Sequence, residues 1–276
     1  MEVFEGRGHN IHEATRSLLL NRLWNDRSDE FKLTSARAAE YFENDESNAA
    51  EWLYHKAIGE PIGDELLRVM EPLDHNYRRS ESEVILKALD EQIATHRVDA
   101  KVSAEFAYRY GKLHKRFYEP EEALTQYEIA IEIYRQVGEH LGEANTLQAI
   151  GDVLQFKKQT DEALENYRQA MQIYRQVGNR LGEANCLQEF GNLEEEIEKK
   201  LQFLQDAQQI YVLIADRYSQ SRNLRFIARA QESQGNLSAA LESWTICRDL
   251  AIEINYQSLQ TSAQDVIDRL SATQPG

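Results

Sequence analysis

Several things are scarce in this 276-residue chain. Only two cysteines are present, Cys186 and Cys247, and they fall in different helices of different repeat units. They read as small core residues of a protein kept in a reducing compartment, so a cytoplasmic location is expected. Four prolines in a chain rich in Glu, Gln, Ala and Leu argue for an all-α fold. No apolar run approaches the roughly 20 residues of a membrane span, and the charged N-terminus has no signal-peptide core. Positive charge is short: 31 Lys and Arg against 47 Asp and Glu give a net charge of −16. That balance disfavours nonspecific binding to nucleic acid or an anionic membrane, though it leaves room for a local basic patch. A Gly-x-x-x-x-Gly-Lys-Ser/Thr loop is absent, so no phosphate cradle of that kind is expected.

What is present is a repeat. IYRQVGEHLGEAN (133–145) and IYRQVGNRLGEAN (173–185) differ at two positions, and EEALTQYEIAIEIY and DEALENYRQAMQIY precede them at the same 40-residue offset. A fixed period of this size marks a stacked array whose units cannot bury their apolar faces alone. Each unit reads as two helices. Leu141 to about Phe156 places Ala144, Leu147, Ile150, Gly151 and Leu154 at helical spacing. Thr160 suits an N-cap, with Asp161 and Glu162 in the first turn of the next helix. That helix ends at Gly178, as the previous one ends at Gly138, each glycine suited to a left-handed C′ position. Pro120 falls where the first residue of its helix is expected.

Small residues recur at Gly111, Gly151 and Gly191. Twelve residues after the first two come Ala123 and Ala163, then Tyr127 and Tyr167, then Ala130 and Ala170. This spacing resembles the tetratricopeptide repeat, without its usual Trp and Pro and with a period above the usual value of about 34. The resemblance implies an all-α right-handed solenoid of helix-turn-helix units with longer helices, of the kind seen in kinesin light chains. After Gly191 the pattern shortens by three residues, so that Leu204, Ala207 and Tyr211 replace Tyr167, Ala170 and Tyr174. A fourth unit has Ala228 for the glycine, a Gln234-Gly235-Asn236 turn, then Ala240, Trp244 and Cys247. Leu259, Ala263, Val266, Ile267 and Leu270 form the stripe of a capping helix. The expected organisation is a helical N-terminal segment (1–98), an array of about four units (99–256), a cap (257–270) and a tail (271–276).

Within the first 98 residues, helices are expected from His12 to Trp24, Phe31 to Phe42 (after Ser28/Asp29), Ala49 to Ile58, Asp64 to Leu73 and Glu83 to His96. A polar stretch lies at 74–82. IHEATRSLLLNRLW, DEFKLTSARAAEYFE and AAEWLYHKA resemble the region that follows the nucleotide-binding core in bacterial STAND-type signalling ATPases and leads into their repeat sensors. With no phosphate-binding loop, the chain is expected not to supply the ATPase activity itself. It would be either the sensor end of a longer protein or a free-standing relative.

Chemistry-bearing constellations are thin. His9 and His12 have a metal-like spacing but no third ligand close in sequence, and His55 reads as packing or capping. Glu194, Glu195, Glu196 and Glu198 read as a solvated helical face. Tyr134 and Tyr174 recur in register and read as structural. No nucleophile, base and orienting acid assemble from spacing, so no catalysis, metal or cofactor is expected.

The repeat resemblance implies that the first helix of each unit lines a concave groove. Its register turns Glu105, Tyr108, Lys112, Lys115 and Arg116 inward in the first unit, and Asn145, Gln148, Asp152, Gln155 and Phe156 in the second. In the third unit it turns Asn185, Gln188, Asn192, Glu195 and Glu196, and in the fourth Arg222, Arg225, Arg229, Glu232 and Ser233. Asn145, Asn185 and Arg222 then form a row able to hydrogen-bond an extended backbone. Basic residues at both ends of the groove suggest a protein or peptide partner with acidic groups. The expected function is non-catalytic recognition of such a segment. The alternative is a peptide-pheromone-sensing regulator, although no DNA-binding helix-turn-helix is evident; an enzyme site invisible in sequence is the least favoured reading.

Overall fold

The computed structural model describes residues 2–3, 9–10, 13–43, 52, 55–56 and 100–273. The chain forms two compact units, Met1–Leu113 and His114–Gly276. In the first, β1 (Glu2–Val3) pairs antiparallel with β2 (His9–Asn10), Val3 opposite His9. This short pairing is the one departure from helix among the described elements, and it holds His9, one of the two histidines of metal-like spacing. His12 lies outside the described residues.

Helix α1 (Glu13–Phe42) joins the two expected helices across a break at Arg27, whose φ of −147° and ψ of 49° are not helical. The break falls one residue before the Ser28/Asp29 signal. Past it, Phe31, Ser35 and Ala39 are buried at i, i+4 and i+8, whereas Leu33 and Tyr41 are exposed. The buried stripe is therefore narrower than the composition of this helix suggests. His55 stacks flat on Phe42, ring centroids 6.2 Å apart, which agrees with a packing role. The helices expected at 64–73 and 83–96, and the polar stretch at 74–82, lie outside the described residues.

Helix α2 (Ala100–Arg116) begins in the first unit and ends in the second. The second unit continues as α3 (Pro120–Val137), α4 (His140–Phe156), α5 (Thr160–Val177), α6 (Arg180–Leu193), α7 (Ile197–Leu213), α8 (Arg217–Ser233), α9 (Leu237–Glu253) and α10 (Gln257–Thr273). From α3 to α10 each helix packs against the next, which is the nearest-neighbour order of a helical solenoid.

The ends of these helices follow local chemistry. Pro120 is the first residue of α3, where its missing N–H costs nothing. Gly138 and Gly178 take φ of +71° and +74°, and the N–H groups of Glu139 and Asn179 reach back to the carbonyls of Tyr134 (3.0 Å) and Tyr174 (2.8 Å). Thr160 does not cap α5. Lys158 turns left-handed (φ 61°) and Gln159 N–H closes on Leu154 O (2.9 Å), so the helix starts one residue early and Thr160 is already inside it. The acidic run also departs from expectation: Glu194–Glu196 form the turn between α6 and α7. The Glu194 carboxylate accepts the backbone N–H groups of Glu195 (2.9 Å) and Glu196 (3.1 Å) there.

The small-residue markers are places of close approach. A Cβ on Gly151 would lie 2.6 Å from the Tyr167 ring, and one on Gly191 would lie 2.7 Å from Leu204. One cluster packs Ala163, Tyr167, Ala170 and Tyr174 with Ala184, Leu187, Phe190, Ala207 and Tyr211. A second packs Leu204, Leu224, Ile227, Trp244 and Cys247 with Leu259, Ala263, Ile267 and Leu270 of the cap. Helix α7 contributes to both, which makes the core continuous. Helix α10 continues past the expected cap limit, to Thr273.

Candidate partner-binding surface

The near-identical stretches 133–145 and 173–185 are one structural joint used twice. Tyr134 and Tyr174 each lie against a glycine of the following helix, where a Cβ on Gly142 or Gly182 would sit 2.5 Å from the ring. Arg135 bonds Glu143 and Arg175 bonds Glu183, both at 2.7 Å across the turn. Glu183 is buried, which alone would raise its pKa. Hydrogen bonds and charge from Arg175 and Arg180 outweigh that, so the carboxyl stays below its usual range. Gly142 and Gly182 escape the glycine spacing that marks the repeat, although the repeated LGEAN carries their signal.

The same joint orients the expected asparagines. The one proton of the Tyr174 hydroxyl is shared between Asn145 Oδ1 (2.8 Å) and Gln148 Oε1 (3.0 Å). One unit on, the Tyr211 hydroxyl donates to Asn185 Oδ1 (2.8 Å). The recurring tyrosine at 174 is therefore more than packing: it fixes which way the amide turns. The Nδ2 groups of Asn145 and Asn185 have no partner among the described residues. Each half-buried amide presents donors, while its oxygen is already engaged.

Between these rows lies a polar network. The one proton of the Tyr167 hydroxyl is shared between Asp152 Oδ1 (2.9 Å) and Gln155 Oε1 (3.0 Å), and Lys115 Nζ binds Asp152 Oδ2 at 2.5 Å. Glu189 accepts from Gln188 Nε2 (3.2 Å) and Asn192 Nδ2 (3.1 Å). Burial, with Asp152 adding to it, raises the Glu189 pKa, and the amide bonds pull against that rise. Glu189 is hidden from a sequence reading because it falls outside the inward register. Burial also pushes the Cys186 thiol up to about 12 and the Cys247 thiol up to about 11.

The expected residues divide by how occupied they are. Asn145, Gln148, Asp152, Asn185, Gln188 and Asn192 are brought into the tyrosine and carboxylate networks of the second unit. Gln188 is buried rather than presented. Tyr108 and Lys112 belong to the first unit, where the Lys112 ammonium lies 5.7 Å from the Tyr108 ring centroid. Phe156 is exposed, its ring 6.1 Å from that of Tyr118. Arg222, Arg225 and Arg229 share a face of α8, with Arg222 5.6 Å over the Tyr218 ring and Arg225 4.9 Å over Phe226. Glu195 and Glu196 fall in the turn after α6 and do not join the row. Glu232 is taken by Trp244 Nε1 and Arg269, each at 2.7 Å.

Among the described residues, no three His, Cys, Asp or Glu side chains gather as a metal ion requires, and no helix is long and apolar enough to cross a membrane.

Residues 103–176 match the family model of the tetratricopeptide repeat, and the array is a tetratricopeptide-repeat solenoid. No sequence match is found among curated proteins. Similar solved structures include the apo form of RapI, at 15% identity with a TM-score of 0.62, covering 68% of this chain and 69% of that one. Aspartyl phosphate phosphatase F from Bacillus subtilis is 16% identical with a TM-score of 0.58, covering 95% of this chain and 70% of that one. A STAND protein with a tetratricopeptide repeat sensor, from Pyrococcus horikoshii, is 14% identical with a TM-score of 0.58. There 89% of this chain is covered, but it spans 44% of that protein's length. At such identities the likeness is one of fold, and the chain resembles the sensor-bearing STAND protein in that sense.

Proposed function

We propose that the array recognises a protein or peptide segment along the face built by α4, α6 and α8, without catalysis, as a sensor or scaffold of a signalling system. The observation that carries this reading is the pair of equivalent asparagines. Asn145 and Asn185 sit at the same place in successive units, each with its oxygen held by a tyrosine and its NH2 turned away, unpartnered among the described residues. A periodic row of fixed donors suits the carbonyls of an extended chain. The likeness to a STAND protein with a repeat sensor supports a sensing role, and a scaffold would use the same row.

The test replaces the donors and keeps the acceptors. Asn145→Asp with Asn185→Asp retains an oxygen for each tyrosine hydroxyl but presents oxygen to an incoming carbonyl. Peptides selected on the full chain from a random displayed library should leave this variant faster. A buried carbonyl left unpaired costs about 1–3 kcal/mol, so removing each amide donor should quicken dissociation by at least about fivefold. Selected peptides that dissociate at the same rate from both proteins would refute the groove.

A further inference from the structure

Arg222, Arg225 and Arg229 occupy positions i, i+3 and i+7 of α8, so their side chains share one face. In a chain of net charge −16, none of the three makes an ion pair with a described carboxylate. Glu232, one turn on from Arg229, is committed to Trp244 and Arg269. What holds the guanidinium groups is aromatic. Arg222 lies over Tyr218, which stacks on Tyr256 (5.5 Å, 20°), and Arg225 lies over Phe226. A ring face attracts a cation without using its N–H donors, so the donors stay available.

Arg225 Nε is shut off from solvent with no acceptor. Burial, and then the charges of Arg229 and Arg222, lower the pKa of Arg225. A cation that is desolvated and repelled by its own neighbours gains most from an arriving anion.

We propose that the α8 arginine face receives an acidic peptide segment, with carboxylates at alternate positions of an extended chain. This rests on the groove reading above and names the partner's chemistry at one end of it. The spacing favours a segment over a single anion. At 1.5 Å per residue the three arginines are spread along about 10 Å of helix. Alternate side chains of an extended chain recur on one side about every 6.7 Å, so two carboxylates reach Arg225 and Arg229 and a third reaches Arg222. Arginine forks take carboxylates bidentately, which fixes register as well as charge. A long polyanion would run on past the patch and meet the acidic remainder of the protein, whereas a short segment ends within it.

The full chain is titrated, by fluorescence anisotropy, with an end-blocked nonapeptide carrying glutamate at every second position and with the matched glutamine peptide. The glutamate peptide should bind at least tenfold tighter than the glutamine peptide and weaken as sodium chloride rises. Arg225→Gln with Arg229→Gln should remove that preference. Arg229→Gln alone, at an exposed position, should lower it at least threefold with an unchanged melting curve, which guards against misfolding of the double variant. Equal binding of both peptides, weakened in both by the Asn145 and Asn185 substitutions, would overturn the arginine site and leave the groove standing. Tighter binding of inorganic phosphate or a single-stranded oligonucleotide than of the glutamate peptide would overturn the assignment to a peptide.

Discussion

Gly151→Ala sets two physical effects of opposite sign against each other. By helix propensity alone the change is favourable, since alanine in a helix interior is better than glycine by about 1 kcal/mol. The structure places a different object in the way. The new Cβ would stand 2.6, 2.8 and 2.9 Å from three carbons of the Tyr167 ring. That ring cannot swing aside freely: it is fully buried, and its hydroxyl is bonded to both Asp152 and Gln155. Overpacking of this kind costs about 1–3 kcal/mol. Moving the ring also loosens the hydrogen bond its hydroxyl shares between Asp152 and Gln155, worth about 0.5–1.5 kcal/mol. After subtracting the propensity gain, a net loss of about 0.5–3.5 kcal/mol remains. For a unit of this size, each kcal/mol lowers the melting temperature by roughly 2–4 °C. Thermal and urea unfolding followed by circular dichroism would read it. An unchanged or raised midpoint would show that the α4–α5 contact gives way at little cost, and the glycine would lose its packing explanation.

Ala163 is fully buried among Tyr167, Ala170 and the neighbouring helices, so Ala163→Asp buries an unpaired carboxylate and should cost several kcal/mol. Wild-type melting and helicity in that variant would contradict the placement. Glu183 is held below its usual pKa, so its contribution is complete above the unfolded-state carboxylate pKa and is lost as pH falls through the lower, folded value. Glu183→Gln should flatten the acid limb of the stability-versus-pH curve and cost about 1 kcal/mol near neutrality, discounted because Arg175 is half exposed. An unaltered acid limb would place the proton uptake elsewhere.

Much of this fold is legible in the sequence because its determinants are local. Gly138 and Gly178 end their helices through their own left-handed backbone, and the Gly151–Ala163–Tyr167 spacing needs only one helix pair to satisfy it. Even the irregular third unit can be followed. The three residues missing there shorten the tyrosine-to-asparagine separation from 29 residues (Asn145 to Tyr174) to 26 (Asn185 to Tyr211), yet the hydrogen bond survives at 2.8 Å in both. The missing residues are absorbed at Glu194–Glu196, where α6 ends early. Periodicity carried straight through that point places Glu195 and Glu196 on a helix, which they do not join. Thr160 misleads for a related reason: capping chemistry is present, but the left-handed Lys158 has already closed the turn.

The site is legible in composition and illegible in pairing. Lys112, Lys115 and Arg116 look in sequence like the counterpart of Arg222, Arg225 and Arg229, and both sets suggest acidic recognition. Whether a cation is available, however, depends on carboxylates that arrive from elsewhere in the fold. Asp152, 37 residues on, takes Lys115 at 2.5 Å. On α8 the carboxylate of Glu232 turns to Trp244 and Arg269, and aromatic rings hold Arg222 and Arg225. Two clusters of equal formal charge thus differ in what they can offer a ligand. An ion pair already made must be broken and desolvated before it can bind anything, while a guanidinium held over a ring retains its N–H donors. An acidic segment bound as proposed should therefore set its carboxylates on the α8 arginines rather than on Lys115.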